Sequence, residues 1–228
     1  MKQASARPYT AASPPPAGAP LPRMSPSPPQ PLLAALRRAT RERHDRIEAL
    51  LRLDAPMTRR RYGAILRGFH AFLGCWEPAV RAALPARLHD WFDVRCRSRF
   101  AAEDLRFLGA ETVPQLAERA QRAVGGLSLA AHAAPFGSMY VIEGSALGGQ
   151  VLVQRLADSG LAPGRGASYF HGFGERTGAM WREFRELAAT EVGPGREALE
   201  TACREAERTF DALLATFEPI ATFEPVAA

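Results

Sequence analysis

The sequence predicts an all-α bundle of helices joined by short connections, and three observations lead there. Apolar residues recur at three- and four-residue steps, most cleanly at Leu199, Cys203, Ala206, Phe210, Leu213 and Phe217. No stretch alternates convincingly as a half-buried strand would. Gly109, Gly125-Gly126 and Gly193-Pro194 punctuate the periodic stretches. At 228 residues and 46% hydrophobic content, the chain can bury one substantial core.

Residues 1–31 hold 10 of the 19 prolines and few apolar side chains, so they are expected to form a disordered Pro/Ala/Ser-rich tail. A single helical domain is expected over residues 32–219, with 220–228 a second tail. The first helix runs from Leu32 to Leu51, with Leu33, Leu36, Thr40, Ile47 and Leu51 on its apolar stripe. Thr58 is placed to cap a second helix burying Tyr62, Ile65, Leu66, Phe69, Phe72, Leu73 and Trp76, which Pro78 bends or ends. Leu88 to Leu108 reads as a helical region broken near Ser98, and Val113 to Val124 as a short helix. Gly160 to Gly174 reads as loop, after which Thr177 caps a helix running through Trp181. The chain ends in a duplicated tract, Ala215-Thr-Phe-Glu-Pro219 and Ala221-Thr-Phe-Glu-Pro225.

Met139-Tyr-Val-Ile-Glu-Gly-Ser-Ala-Leu-Gly-Gly-Gln150 places three glycines inside an otherwise helical segment. Each costs ~1 kcal/mol relative to alanine in a helix interior. Gly144 and Gly148 stack on one face with Gly149 beside them, so the backbone there is expected to lie against something flat, or against another helix of small residues. The glycines alone leave both readings standing. A membrane dimer motif needs ~20 apolar residues, and Glu143, Gln150 and Arg155 interrupt this stretch. Neither a Gly-Lys-Ser/Thr nor a GxGxxG phosphate loop is present.

His44 falls on the apolar stripe of the first helix, where a lone histidine is more often a satisfied core residue than a ligand. Its neighbours alter that balance. Glu48, one turn on, can accept the ring N–H and leave the other nitrogen for a metal. Arg37 and Arg41 flank the same face and can hold anionic groups of a cofactor. His70, His89, His132 and His171 form no metal-ligand spacing and read as surface or core residues.

Leu36-Arg-Arg-Ala-Thr-Arg-Glu-Arg-His44-Asp-Arg-Ile-Glu48, followed by Tyr140-Val-Ile-Glu-Gly-Ser-Ala-Leu-Gly-Gly-Gln150, resembles the heme oxygenases, and most closely their bacterial, biliverdin-producing branch. Asp104-Leu-Arg-Phe-Leu-Gly109 and Tyr169-Phe-His-Gly-Phe-Gly-Glu-Arg-Thr-Gly-Ala-Met-Trp-Arg-Glu-Phe184 also look like segments of that branch. The resemblance covers about Leu32 to Phe217 and implies a helical bundle that sandwiches heme between a proximal helix and a kinked distal one. It makes His44 the iron ligand, Glu48 its supporting carboxylate, and Gly144, Gly148 and Gly149 the distal glycines. Ser145 departs from the pattern, since better-known members carry Asp after the first distal glycine. A hydroxyl donates and accepts but holds no charge, which puts the proton-delivery route in doubt. Arg185, ahead of Arg182, is the expected further basic contact to the heme propionates.

The implied reaction is oxidative opening of heme to biliverdin with release of CO and ferrous iron. It consumes O2 and needs an external electron donor, a ferredoxin or a reductase, with a biliverdin acceptor such as a phytochrome as a further partner. A heme-binding or heme-transfer protein on the same scaffold is the alternative that Ser145 keeps open. An enzyme of related fold acting on another planar cofactor is weaker, because His44 with Glu48 argues against it.

Of the net charge of +5, Lys2, Arg7 and Arg23 place +3 in the first 31 residues, leaving an ordinary surface and no nucleic-acid signature. Lys2 is the sole lysine, so cationic roles in the body fall to arginine. Cys75, Cys96 and Cys203 lack any CxxC spacing, which points to a reducing, cytoplasmic setting. No stretch of ~18 apolar residues crosses a membrane, and a monomer is expected.

Overall fold

The computed structural model describes residues 31–53 and 55–221. The first helix, α1 (Pro31–Leu51), buries Leu32, Leu36, Thr40, Ile47 and Leu51 along one stripe. It ends where Arg52 turns into the left-handed region at φ 46° and Leu53 N–H reaches back to the Glu48 carbonyl at 3.3 Å. In α2 (Arg59–Ala83), Thr58 accepts from the Arg61 N–H as the expected cap. Pro78 sits inside this helix without ending it.

After a single 3₁₀ turn (Ala86–Leu88) come α3 (His89–Asp93) and α4 (Ser98–Phe107), so the expected break falls at residues 94–97. The two oxygens of buried Glu77 collect the N–H groups of Arg97 and Ser98 and the Ser98 hydroxyl, satisfying donors at the start of α4. Gly109 follows α4 at φ 61°. Next come α5 (Pro114–Gly125) and the glycine-rich α6 (Ala134–Ala157), which runs unbroken.

The expected loop over 160–174 contains a short helix, α7 (Ser168–His171), which the carboxylate of Asp104 pins. Asp104 accepts from Tyr62 Oη at 2.8 Å and from the N–H groups of Ser168 and Tyr169 at 2.9 and 2.8 Å. In α8 (Thr177–Val192), Thr177 is the first helical residue and not the cap, because a 3₁₀ turn at Gly174–Arg176 leads directly into the helix. The last helix, α9 (Arg196–Ala221), continues two residues past the expected boundary at 219. Among the described residues no strand forms beyond isolated bridges from Ala162 to Arg165 and Gly166.

α9 is the spine: α1 and α6 both pack along it and make little contact with each other. Gly137 of α6 lets the two backbones meet, since a Cβ there would lie 2.0 Å from the Ala202 carbonyl oxygen. Gly68 of α2 does the same for Phe217, whose ring would stand 2.2 Å from an added Cβ. Phe217 belongs to the first copy of the duplicated tract and is fully buried, a contribution of about 2–3 kcal/mol. Residues 1–30 of the N-terminal tail and the second copy after Ala221 fall outside the described residues, and Pro31, expected in the tail, opens α1.

Polar groups in the core are matched in series. Trp76 Nε1–H donates to Ser138 Oγ at 2.8 Å, and the Ser138 and Thr209 hydroxyls lie 2.7 Å apart. Thr209 gives its own hydrogen to the Glu205 carbonyl, so Ser138 is the donor between the two, and α2, α6 and α9 are linked without an orphaned group. At the far end of α6, Arg155 donates to the Leu53 carbonyl and Ser159 Oγ to the Met57 carbonyl. Arg61 donates to the carbonyls of Leu51, Arg52 and Pro56. Arg155 and Ser159 thus tie the end of α6 to the connection after α1, and Arg61 ties α2 to the end of α1.

Candidate functional site

Because α1 and α6 share α9 but stand apart, a cavity of about 1300 Å³ opens between them. Ile47 and Leu51 of α1, Val141 and Leu152 of α6, and Phe210 and Leu213 of α9 give it apolar walls. All nine residues predicted from the sequence as site residues line this one space: Arg37, Arg41, His44, Glu48, Gly144, Ser145, Gly148, Gly149 and Arg185. Among the described histidines, only His44 does so.

His44 presents its imidazole from α1 with its side chain 54% exposed, braced edge-on by Phe210 at a centroid distance of 6.0 Å. Glu48 comes within 3.7 Å of His44 Nε2, and Asp45 within 3.9 Å of Nδ1. Both separations exceed hydrogen-bond reach, so the predicted locking of the ring tautomer by Glu48 is not made in this conformation. Either carboxylate stands near enough to accept a ring N–H after a small side-chain adjustment.

The three α6 glycines differ in what they face. A Cβ at Gly148 would meet nothing within 4 Å, so that position opens directly on the cavity. At Gly144 it would make ordinary contact with the Trp181 ring at 3.8 Å. At Gly149 it would press to 2.8 Å from the Phe170 carbonyl oxygen, so this glycine seats α6 on α7.

Of the two arginines on α8, Arg185 lines the cavity, with its guanidinium 6.0 Å from the Trp181 ring centroid. Its Nε is buried with no partner among the described residues. Arg37 and Arg41 are exposed on α1. Tyr140 completes this side of the site, its hydroxyl pushed above the usual phenol range by burial against the opposing pull of Thr40 and Arg37.

Two residues were not anticipated. Arg97, 4% exposed, lines the cavity from the turn before α4 and donates through Nη2 to the Ile142 carbonyl and to Ser145 Oγ, both at 2.7 Å. Ser145 in turn donates to the Ile142 carbonyl at 2.7 Å, so its hydrogen is engaged within α6. Behind the helix, Arg95 reaches Glu143 at 3.4 Å, and burial pushes the Glu143 carboxyl up while Arg95 and Arg97 pull it down. The alternation Arg95-x-Arg97-x-Arg99 at a helix break was the available signal, but nothing in it names a partner 48 residues away.

An imidazole on one wall, an open glycine on the other, apolar sides and arginines at the rim match a flat, iron-bearing, dicarboxylic macrocycle. The family model for heme oxygenase matches residues 30–218. The chain belongs to the heme oxygenase family. Membership makes heme the ligand of this fold and its degradation the associated chemistry. Among solved structures, the NO- and CO-bound heme oxygenase of Neisseria meningitidis matches with a TM-score of 0.65 at 19% identity, covering 86% of this chain and 94% of that one. At that identity the likeness establishes the helical fold. No curated protein matches by sequence. Among the described residues of this heme oxygenase, no helix is long and apolar enough to cross a membrane.

Proposed function

We propose that this heme oxygenase opens heme to biliverdin with release of CO and ferrous iron. The supporting observation is the placement of His44 and Gly148 on different walls of one apolar cavity, the first offering a nitrogen ligand and the second leaving room for a planar group. His44 holds the iron as a neutral imidazole, with Glu48 as the carboxylate that accepts its other ring hydrogen once the side chain settles. Arg37, Arg41 and Arg185 take the propionates, whose charge suits guanidinium forks. On the α6 wall Gly148 would leave the space beside heme free of a side chain, with Gly144 against Trp181 a turn before it and Gly149 seating the helix on α7. Bound heme supplies the iron and macrocycle on which dioxygen is reduced and the ring is cut. Electrons come from an external ferredoxin or reductase, and a bilin-binding protein such as a phytochrome is the fitting acceptor.

The test is anaerobic reconstitution with heme, followed by air and a reductant. Decay of the Soret band into a biliverdin spectrum with CO evolution is the expected result. A Soret band that persists through repeated reduction supports instead a heme-transfer protein, the reading favoured by a Ser145 hydroxyl already engaged within α6.

A further inference from the structure

Arg95, in the turn between α3 and α4, stands outside the cavity lining with its side chain 2% exposed. Nη1 donates to the Met180 carbonyl of α8 at 3.2 Å and reaches Glu143 of α6 at 3.4 Å, while Nη2 pairs with Glu183 of α8. The Trp91 ring of α3 lies 4.0 Å from the guanidinium, and its Nε1–H donates to the other Glu183 oxygen at 3.1 Å. One planar group thus joins α3, α6 and α8. Each partner on α6 and α8 neighbours a cavity residue: Glu143 precedes Gly144, Met180 precedes Trp181, and Glu183 stands two positions before Arg185.

This arrangement is not the one that stability alone would favour. Arg95 Nε is buried with no partner among the described residues, and a buried ion pair adds little over a well-packed apolar replacement. What the fork supplies is fixed geometry, because both Nη groups must be in place at once. α8 depends on such a tie, since it packs chiefly on α6 and meets α9 only lightly. A second polar tie, Arg87 to Glu191, holds the far end of α8, about two turns beyond Glu183.

We infer that Arg95 is a positioning residue for heme: by fixing α8 against α6 it sets where Trp181 and Arg185 stand, and so the in-plane seating of the macrocycle. The inference rests on the heme reading above. The meso carbons of heme are chemically alike and differ mainly in their place relative to the propionates. Displacing Arg185 therefore changes which of them is presented for cleavage.

The experiment compares the heme complexes of the wild type, Arg95→Lys, Glu183→Gln and Arg87→Gln. Heme-methyl proton NMR resonances of the cyanide-bound ferric complex report the seating without turnover, and the ratio of biliverdin isomers reports it after turnover. Arg95→Lys keeps a charge beside Glu143 but loses the fork. The fold should hold while the heme-methyl resonances move and the isomer ratio shifts at least about threefold, or ~0.65 kcal/mol between competing barriers. Glu183→Gln weakens the exposed end of the tie and should move the same resonances by a smaller amount. Arg87→Gln loosens the far end of α8 and should leave both readouts at their wild-type values.

Unmoved resonances in Arg95→Lys overturn the inference, as does an equal displacement in Arg87→Gln, which would mark attachment of α8 in general. Should Arg95→Lys not fold, unmoved resonances in Glu183→Gln overturn it instead. A wild-type chain that gives no Soret band with heme defeats the heme reading and the inference together. One that binds heme without opening it defeats the proposed reaction, and the resonances still decide the inference.

Discussion

In the first half of α6, a Cβ at Gly137 would lie 2.0 Å from the Ala202 carbonyl oxygen, whereas at Gly148 it would meet nothing within 4 Å. The two glycines are about three turns apart and within ~20° of each other around the helix axis. One face of one helix therefore touches α9 at its start and, as the helices diverge, looks onto the cavity further along. Glycine in a helix costs the same ~1 kcal/mol at either place. What differs is the return: backbone contact in the first half, open space for a ligand in the second.

The largest expected effect lies in the first half. Gly137→Ala drives a methyl into a backbone carbonyl, which cannot swing aside as a side chain would, so α6 must lift from α9. Overpacking of this kind costs up to ~3 kcal/mol, offset by ~1 kcal/mol of helix propensity. A net loss of about 2 kcal/mol should lower the melting temperature of the heme-free protein by roughly 4–8 °C. An unchanged melting temperature would mean that the helices do not meet there.

Next is Gly148→Leu, which should act in the opposite sense. The heme-free protein should keep its stability or gain up to ~1 kcal/mol from propensity, because the side chain enters open space. Heme affinity should fall at least about tenfold, or ~1.4 kcal/mol, as read by heme titration. A destabilised heme-free protein with normal heme affinity would break the distinction between the two halves.

The sequence exposed the second half of α6 and hid the first. Gly144, Gly148 and Gly149 cluster within six residues and so announce themselves, and His44 is legible because helical spacing puts it on a stripe of apolar neighbours. Gly137 and Gly68 stand alone in ordinary helical sequence, and only the approach of Ala202 and Phe217 gives them a role. The helix order was readable from caps and punctuation, with errors of one residue at Thr177 and of one short helix at Ser168–His171. Arg97 was not readable, because its contacts to Ile142 and Ser145 arise only when the α3–α4 turn folds against α6.

A smaller effect is expected on the side of α6 turned away from the cavity, where Glu143 meets Arg95. Burial is the leading influence on Glu143 and raises its pKa, with Arg95 and Arg97 opposing it and Glu183 adding to it. A carboxyl whose folded pKa lies above its unfolded value of about 4.3 holds more protons in the native state. Its contribution is fully present below that value and is lost as pH rises through the folded pKa. Glu143→Gln should therefore flatten the pH dependence of heme-free stability above about pH 4.3, measured by urea unfolding at several pH values. An unaltered slope would show that Glu143 titrates as it does in the unfolded chain.

The smallest effect is expected at Gly144, where the two halves of the comparison meet. An added Cβ would sit 3.8 Å from the Trp181 ring, an ordinary van der Waals contact, so alanine neither collides as at Gly137 nor projects into empty space as at Gly148. Gly144→Ala should raise the stability of the heme-free protein by up to ~1 kcal/mol through helix propensity. Heme affinity should change by less than about threefold, or ~0.65 kcal/mol, because Trp181 already occupies the space the methyl approaches. A tenfold loss of heme affinity would mean that Trp181 moves aside when heme binds and that Gly144 then contacts the ligand. The open stretch of α6 would in that case begin a full turn earlier than the heme-free geometry shows.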